Sequence, residues 1–316
     1  MTAAECAKYL SSHDRYLLIT HKNPDGDTVM SAAALCRALR RKNKKAYIFP
    51  NPQITSKMLP EVEKMFPPKS FKPGCVVAVD LAAENLFPEG FSGRVDLCID
   101  HHPTNSLYAG QTLVKEGSSS CGEVVMEVIR AFAGNITKTE ASLLYIALTT
   151  DTGAFQYANV NPDSYLAAAE LLKLGADHPS VMYRYFRESS HARLHLEGLI
   201  YSGLHYYYDG RLVIAPVTQQ MMRESGATED DCDDLAGLSG RAEKVLMNIT
   251  IRELEDGTSK ISVRTAPGIS SIAVCEVFGG GGHFMAAGCS IDADPARAEQ
   301  LLLDVIESLK SFEKAE

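Results

Sequence analysis

The sequence predicts an α/β protein of two domains. In residues 1–186, short apolar runs alternate with helical segments, which is typical of a mainly parallel sheet covered by helices. In residues 206–316, two pairs of apolar runs each flank a DG dipeptide, which indicates β-hairpins in a smaller α/β domain with a mixed sheet. We expect the helical segment at 187–205 to link the two domains. A chain of 316 residues with 45% hydrophobic content can bury two modest cores.

Four apolar runs of the first domain are predicted strands, and five segments are predicted helices. The strands are YLLIT (16–20), KAYIF (45–49), CVVAVD (75–80) and VDLCID (95–100). The helices cover about 28–41, about 55–65, 119–134, 137–151 and 162–175. The last of these ends at a glycine, which is a common helix stop.

The second domain is predicted to be rich in strands. Its hairpins are HYYYDGRLVIAPV at 205–217 and VLMNITIRELEDGTSKISVRT at 245–265, and a strand, MAAGCSI, follows a run of glycines. A helix, PARAEQLLLDVIESLK, ends the domain.

Composition narrows the class of protein. No apolar stretch approaches about 20 residues, the length that a membrane-spanning helix needs, and the first 14 residues lack the apolar core of a signal peptide. We therefore expect a cytoplasmic protein. The eight cysteines form no CxxC pair, and several lie in apolar runs, so buried reduced thiols are favoured over disulfides or a zinc site.

The charge of the chain is uneven. The net charge is −9, and residues 191–316 hold 11 basic and 20 acidic side chains. The acidic run EDDCDD at 229–234 lacks the glycine and the spacing of a calcium-binding loop, so we interpret it as a solvated face or a helix start. Such a chain is poorly suited to long nucleic acid, whose binding requires many contacts from lysine and arginine to phosphates. Small anionic ligands remain open.

Polar side chains recur where the predicted strands of the first domain end. They are His21, Asp25 and Asp27 after the first strand, Asp80 at the end of the third, Asp100, His101 and His102 at the end of the fourth, and Asp151 at the end of the helix 137–151. A single aspartate after an apolar run is most often a helix cap or a turn residue. In an open parallel sheet, however, ligands bind at the carboxyl ends of the strands, so we expect these side chains to converge.

Converging carboxylates require cations. Without them, each carboxylate raises the pKa of its neighbours. Carboxylate and imidazole ligands suit manganese, and suit magnesium less well, whereas no cysteine is placed to form a structural zinc site. The pattern therefore predicts a hydrolytic centre with two metal ions.

Five motifs occur in a characteristic order. They are HKNPDGD at 21–27, VAVD at 77–80, DHH at 100–102, TTDTG at 149–153 and GGGGH at 279–283. Together they resemble the DHH phosphoesterase superfamily in its two-domain form with a DHHA1 domain, and most of all its short-RNA oligoribonucleases, the nanoRNases, which also act as pAp phosphatases. This resemblance covers nearly the whole chain. It implies a DHH catalytic domain at 1–186, a DHHA1 substrate-binding domain at 206–316, and two Mn²⁺ ions, with Mg²⁺ as the other candidate.

The resemblance also implies a role for each site residue. One ion would be held by His21 and Asp25, the other by Asp27, His101 and Asp151, and Asp80 would bridge the two ions. The catalytic residues would be Asp80, Asp100 and His102. We expect Asp100 to orient a neighbouring histidine, as metal-bound imidazoles usually require, and His102 to lie near the scissile phosphate. For both, a core hydrogen bond without a catalytic role is the alternative.

The glycine run of the second domain is the predicted substrate-binding segment. Without a Cβ, the backbone N–H groups of Gly279, Gly280, Gly281 and Gly282 can approach an anion closely, although a flexible loop is the alternative. The resemblance implies that His283 and Arg264 contact the terminal phosphate or the nucleotide. Three features depart from the family pattern: Phe284 replaces a common lysine, Gln156 replaces a frequent arginine, and TAPG follows Arg264 where an asparagine is frequent. Each departure removes a polar or cationic contact.

Three functions fit these observations. The first is an oligoribonuclease that releases mononucleotides from very short RNA and also removes phosphate from pAp. The second is a phosphodiesterase for cyclic dinucleotides or their linear products, such as c-di-AMP, pApA and pGpG. The third is a nucleotide sensor without activity, against which the complete set of metal ligands argues. An inorganic pyrophosphatase is less favoured, because GGGGH suits a nucleotide better than the basic clamp that pyrophosphate needs. We expect no long duplex nucleic acid and no membrane as partner, and the oligomeric state stays open.

Overall fold

The computed structural model describes residues 1–232 and 235–309, which divide into two compact units. The first unit is Met1–Glu188, and the second begins at Ser189. Each unit is built around its own sheet, with five strands in the first and six in the second. The predicted fold class, a parallel helix-covered sheet followed by a smaller mixed sheet, is confirmed.

The first unit alternates strands and helices along most of its length. Its strands are β1 (Tyr16–Ile19), β2 (Ala46–Ile48), β3 (Cys75–Val79), β4 (Leu97–Asp100) and β5 (Gln111–Val114). Its α-helices are α1 (Ala3–Ser12), α2 (Gly26–Arg41), α3 (Leu59–Val62), α4 (Cys121–Ala133), α5 (Lys138–Asp151), α6 (Pro162–Lys173) and α7 (His178–Met182). Sequence analysis did not identify α1 or β5. The helix expected at about 55–65 is shorter, because α3 begins only at Leu59 and continues as a 3₁₀ turn.

All strands of the first sheet are parallel, in the order β2-β1-β3-β4-β5. Their side chains are almost wholly apolar and buried in β1, β3 and β4, as is expected for a parallel sheet covered on its faces. Because the strands run in the same direction, the loops that follow β1, β3 and β4 meet at one edge of the sheet.

Close packing fixes the helices that frame this edge. Gly26 begins α2, and a Cβ at this position would collide with the side chain of Thr150 in α5. At Gly122 in α4, a Cβ would lie 2.8 Å from the Cβ of Ala147 in α5. The Thr28 hydroxyl donates a hydrogen bond of 2.8 Å to the carbonyl of Val79, which ties α2 to the end of β3. Such dense packing leaves little freedom to the side chains that these helices present.

The second unit contains a mixed sheet in the order β10-β11-β9-β8-β7-β6. Its strands are β6 (His205–Tyr207), β7 (Leu212–Val217), β8 (Met247–Glu253), β9 (Ser259–Thr265), β10 (Gly281–His283) and β11 (Ala286–Ile291). Its α-helices are α8 (His191–Ser202), α9 (Gln219–Ser225), α10 (Ser271–Glu276) and α11 (Pro295–Ser308). Both predicted hairpins, β6 with β7 and β8 with β9, are antiparallel pairs, whereas β7 and β8 are parallel.

The structure can be compared with three further predictions, on the cysteines, the acidic run and membrane-spanning helices. The eight cysteines are free thiols; six are buried, and Cys232 and Cys289 are half-buried. Residues 229–232 of the acidic run form a 3₁₀ turn, and the last two residues of the run lie outside the described residues. Within the described ranges, no helix is long and apolar enough to cross a bilayer.

Candidate metal centre

The loop after β1 places His21 and Asp25 at the carboxyl edge of the first sheet. Nδ1 of His21 lies 2.7 Å from the carbonyl of Lys22 and donates its hydrogen there, so in the neutral ring Nε2 carries the lone pair. The side-chain amide of Asn51 donates to the carbonyl of His21 at 2.9 Å and fixes the loop. Asp25 is the N-cap of α2 and accepts a 3.1 Å hydrogen bond from the N–H of Thr28. An imidazole in this tautomer can bind a metal ion through Nε2.

Asp27 lies in the first turn of α2 and points to the start of α4. Its carboxylate accepts hydrogen bonds from the N–H groups of Cys121 and Gly122, at 2.6 and 2.9 Å. The hydroxyl of Ser31 donates a third, at 3.0 Å. The amino end of a helix favours negative charge, so α4 stabilises this buried carboxylate.

Asp80 is the residue directly after β3, and its backbone is strained. Its φ of 55° lies in the left-handed region, which non-glycine residues rarely adopt. The residue is buried, and its Oδ1 has no hydrogen-bond partner within the described part of the chain. A buried carboxylate oxygen without a partner is costly, and a metal ion at this position would satisfy it.

The three side chains of the DHH motif, Asp100, His101 and His102, have different hydrogen-bond partners. Nδ1 of His101 donates to the carbonyl of Ser118 at 2.9 Å, so its Nε2 also carries the lone pair. Asp100 is fully buried; its Oδ1 accepts hydrogen bonds from Nδ1 of His102, at 2.7 Å, and from the N–H groups of His101 and His102. Its Oδ2 accepts a 2.6 Å hydrogen bond from Asn105. Asp100 therefore orients His102 rather than His101.

Asp151, the last residue of α5, reaches the same edge of the sheet. The side-chain amide of Asn159 lies 3.0 Å from the carbonyl of Asp151 and 3.4 Å from its Oδ2, and it also donates to the carbonyl of Ser119. The loop after Asp151 is tightly bent, since Gly153, Ala154 and Phe155 all have φ between 54° and 68°. Consecutive left-handed residues of this kind concentrate at functional sites.

These side chains converge into three overlapping groups that could hold metal ions. The groups are His21, Asp25 and Asp80; Asp27, His101 and Asp151; and Asp80, His101 and His102. Nε2 of His101 lies 3.5 Å from Oδ1 of Asp80 and 3.6 Å from Oδ2 of Asp151. Nε2 of His21 lies 3.8 Å from Oδ2 of Asp80. Asp80 thus directs one oxygen toward each histidine, and all six side chains predicted to bind metal are brought together.

The aspartates of the cluster lie close together, and this crowding shifts the pKa values of the side chains. Burial, and then the neighbouring Asp25, raise the pKa of Asp80 to about 7. Burial and Asp27 raise the pKa of Asp151 to about 8, and burial with Asp80 raises the pKa of Asp27 well above its ordinary value. Burial alone would lower the pKa of His102, but Asp100 and Asp80 raise it to about 10. Asp27, Asp80 and Asp151 therefore resist ionisation unless cations compensate their charge. Asp25 differs, because burial would raise its pKa but His21 lowers it to about 2.

The predicted substrate-binding residues lie in the second unit. Arg264, in β9, pairs with Ala286 of β11, and its Nη1 donates to the carbonyl of Val263 at 3.1 Å. Gly282 has a φ of 146°, and a Cβ at Gly280 or Gly282 would collide with the backbone of β11. Strand packing therefore explains two of the four glycines, whereas a Cβ at Gly281 would meet nothing within 4 Å. The side chain of His283 lies outside the described part of the structure.

Two residues that support the site were missed by sequence analysis. Asn105 completes the hydrogen bonding of Asp100, and Asn159 contacts Asp151. Asn105 follows the DHH motif by three residues, a spacing that could have indicated it, whereas Asn159 offered no such signal. Of the departures from the family pattern, Phe284 is 53% exposed and Gln156 is exposed as well.

Comparison with known proteins identifies the family of this chain. Residues 15–148 match the model of the DHH family, N-terminal domain, and residues 209–311 match that of the DHHA1 domain. The chain is 32% identical over 297 residues to a bifunctional oligoribonuclease and PAP phosphatase NrnA of Thermus thermophilus, covering 92% of this chain and 88% of the relative.

Two solved structures share the fold. An exopolyphosphatase-related protein from Bacteroides fragilis superposes with a TM-score of 0.84 at 21% identity, over 98% of this chain and 96% of that one. RecJ of Thermus thermophilus, solved in complex with Mn²⁺, gives a TM-score of 0.55 at 14% identity, over 96% of this chain and 55% of that one. The chain therefore belongs to the DHH phosphoesterases, which are hydrolases of phosphoric esters, in the two-domain form that carries a DHHA1 domain.

Proposed function

We propose that this protein is a manganese-dependent phosphoesterase that degrades very short RNA to mononucleotides and converts pAp to AMP and phosphate. The unpartnered buried Oδ1 of Asp80, at the centre of the carboxylate and imidazole cluster, is the observation that carries the metal-dependent chemistry. The substrate class rests on the similarity to the NrnA relative, which extends over both domains.

In this proposal, six side chains hold two divalent ions. His21 and Asp25 would hold one ion, Asp27, His101 and Asp151 would hold the other, and Asp80, which belongs to two of the three groups, would serve both. The donor set fits, because both histidines offer Nε2 and four aspartates balance four positive charges. Oxygen and imidazole donors favour Mn²⁺, with Mg²⁺ as the harder alternative. When bound, such ions acidify water and compensate the charge of a phosphoryl group under attack.

The remaining polar residues of the site are Asp100, His102 and Asn105, and two of them orient the imidazole of His102. Asp100 holds the imidazole of His102 through Nδ1, at 2.7 Å, and in the protein without metal ions Asp100 and Asp80 raise the pKa of His102 to about 10. An imidazole fixed beside the metal cluster would donate a hydrogen bond to the phosphate of the substrate. Asn105 restrains Asp100 from the other side and so preserves this orientation.

The second unit would hold the nucleotide. Within residues 1–232 and 235–309, Arg264 forms no ion pair with an acid, and its hydrogen bond goes to a backbone carbonyl, so its guanidinium can accept a phosphate. Gly281, whose missing Cβ is not explained by packing, would bring a backbone N–H close to an anion. His283 is included in this proposal by its position in the motif.

One side-by-side assay tests the proposal. Purified protein with Mn²⁺ is offered pAp, an RNA trimer, an RNA 24-mer, c-di-AMP, pGpG and pyrophosphate. We expect pAp and the trimer to be hydrolysed fastest and mononucleotides to be released one by one. We expect RNA of about two to five nucleotides to be degraded faster than the 24-mer, with a shallow salt dependence from ~1 to 3 phosphate contacts. A preference for cyclic dinucleotides, pyrophosphate or the 24-mer would contradict the proposed substrate class.

A further inference from the structure

A cavity lined by three cations lies at the opposite end of the first sheet from the metal cluster. It has a volume of about 420 Å³ and is lined by Arg15, Lys45, Tyr47, Pro68, Ser70, Phe71 and Lys72. Lys45, Arg15 and Lys72 precede β2, β1 and β3, which are neighbours in the sheet. Because parallel strands also bring their amino ends together, three cations from distant parts of the chain line one cavity. Nothing in the proposed function uses them.

In the described part of the chain, the cations of this cavity form no ion pair, and Asp14 is the acidic residue beside them. Within the two described ranges, none of Arg15, Lys45 and Lys72 forms an ion pair, whereas the nearby Arg41 is bound by Glu140. The adjacent acid, Asp14, accepts a 2.8 Å hydrogen bond from the backbone N–H of Lys45 and supplies one negative charge. Residues 37–45 hold six lysines and arginines and no acid. On a chain of net charge −9, this surface is locally positive and suited to an anion.

The backbone of Arg15 is held by a hydrogen bond from the turn before β3. Its φ is 58°, in the left-handed region, and its carbonyl accepts a 2.8 Å hydrogen bond from the N–H of Gly74. A Cβ at Gly74 would lie 3.1 Å from Nη2 of Arg15, so the missing side chain gives the guanidinium room to lie against this turn. A guanidinium is a planar fork of N–H donors that can bind a phosphate through two hydrogen bonds.

Two aromatic rings adjoin the cations. The rings of Tyr47 and Phe71 have centroids 4.6 Å apart at an angle of 63°, and both side chains are half-buried. Arg40 lies over the ring of Tyr47 at 5.1 Å from its centroid. Cations beside an aromatic surface are the combination that binds a phosphate together with a base.

We propose that this cavity is a second, non-catalytic site for a nucleoside monophosphate. Arg15, Lys45 and Lys72 bind the phosphate, and Tyr47 and Phe71 contact the base. A volume of about 420 Å³ suits a small ligand rather than a polymer. Strand β1 has four residues and spans roughly 13 Å, so a ligand here would not reach the metal cluster.

Photolabelling with 8-azido-AMP tests this site directly. The intact protein is irradiated with the probe, and the labelled peptides are mapped by mass spectrometry. We expect label on the peptides that contain Tyr47 or Phe71. The double variant Lys45→Ala/Lys72→Ala should lose roughly tenfold or more of this labelling, because each hydrogen bond to a charged group contributes at that scale. Lys42→Ala is the matched control, since Lys42 belongs to the same basic segment but does not line the cavity.

Competition distinguishes a nucleotide from a simple anion. Unlabelled AMP should compete at lower concentration than inorganic phosphate or adenosine, since only AMP engages both the cations and the rings. Hydrolysis of pAp should be unchanged in the double variant, which also shows that it folds. Label confined to other peptides, equal labelling of the double variant, or phosphate competing as well as AMP would each overturn the proposal.

Discussion

The metal cluster of the first unit and the glycine-rich strand pair of the second differ in what their structures require. In the first unit, hydrogen bonds hold the side chains of Asp27 and Asp100, yet within the described residues Oδ1 of Asp80 has no hydrogen-bond partner. Burial and neighbouring carboxylates raise the pKa values of Asp80 and Asp151. In the second unit, strand packing explains Gly280 and Gly282, and Nη1 of Arg264 donates a hydrogen bond to the carbonyl of Val263. The first region therefore contains buried carboxylates whose charge is not compensated, whereas strand packing accounts for two of the four glycines of the second region.

Substitution of Asp80 should have the largest effect. Asp80→Asn keeps the shape of the side chain, and asparagine tolerates the left-handed backbone, but the shared negative charge is lost. We expect the pAp hydrolysis rate to fall roughly a thousandfold or more, since metal ions supply several kcal/mol of charge stabilisation. Metal content, measured on the purified variant, should fall at both positions.

The matched control for this variant is Asp163→Asn, an exposed aspartate in the first turn of α6. It should retain wild-type activity and metal content. Asp25→Ala should retain part of the metal, because Asp27, His101 and Asp151 would still hold one ion. Full metal content in Asp80→Asn would show that Asp80 is not shared.

Asp100→Asn should have the next largest effect. This variant tests whether Asp100 orients His102 without binding a metal ion. Asp100 contacts the Nδ1 of His102 but belongs to none of the three groups that could hold metal. Without its charge, the pKa of His102 should fall, so the alkaline side of the pH–activity profile should move to lower pH. We expect a loss of roughly 10- to 100-fold in kcat with unchanged metal content. An unchanged pH profile would mean that Asp100 serves only the core.

Much of the first site was predictable because a parallel sheet brings residues that follow its strands to one edge. His21, Asp80 and Asp100 could be placed from strand ends alone. The left-handed φ of Asp80 and the hydrogen bond from Asn159 to Asp151 could not, since both depend on contacts between distant segments. Strand β5 was missed because QTLV is short, lies at the sheet edge and exposes Gln111. The positive cavity was missed because its cations are separated in sequence.

Arg264→Ala should have a smaller and selective effect. If Arg264 binds a phosphate of the nucleotide, kcat/KM for pAp should fall roughly tenfold to a hundredfold, as expected when a charge-assisted hydrogen bond is lost. Hydrolysis of bis(p-nitrophenyl) phosphate should change little, since this substrate has no nucleotide to hold. Arg223→Ala, an exposed arginine of α9, is the control and should match the wild type on both substrates. Equal losses on both substrates would assign Arg264 to folding instead.

Removal of metal ions by a chelator should make the stability of the first unit depend on pH, because its carboxylates then lack compensating cations. The pKa values of Asp80 and Asp151 are raised to about 7 and 8, and those of His21 and His102 to about 9 and 10. The fold therefore favours the protonated form of all four groups, and their stabilisation is lost as pH rises through these values.

We expect the Tm of the metal-free protein to fall by about 5 °C or more between pH 5 and pH 9, where each kcal/mol moves Tm by ~2 to 4 °C. With Mn²⁺ the decrease should be smaller, because bound ions stabilise the ionised carboxylates. Parallel thermal melts in chelator and in Mn²⁺ measure the difference. A Tm of the chelated protein that rises toward pH 9 would contradict the assigned charges.

The most direct test of the two-metal centre is the return of activity during metal titration. Protein treated with chelator and then freed of it is titrated with Mn²⁺ while bound metal and pAp hydrolysis are followed in the same samples. We predict no hydrolysis without metal, saturation at two ions per chain, and full activity only when both are bound. Hydrolysis of pAp at the normal rate in the presence of chelator, or saturation at one ion with full activity, would contradict the two-metal centre.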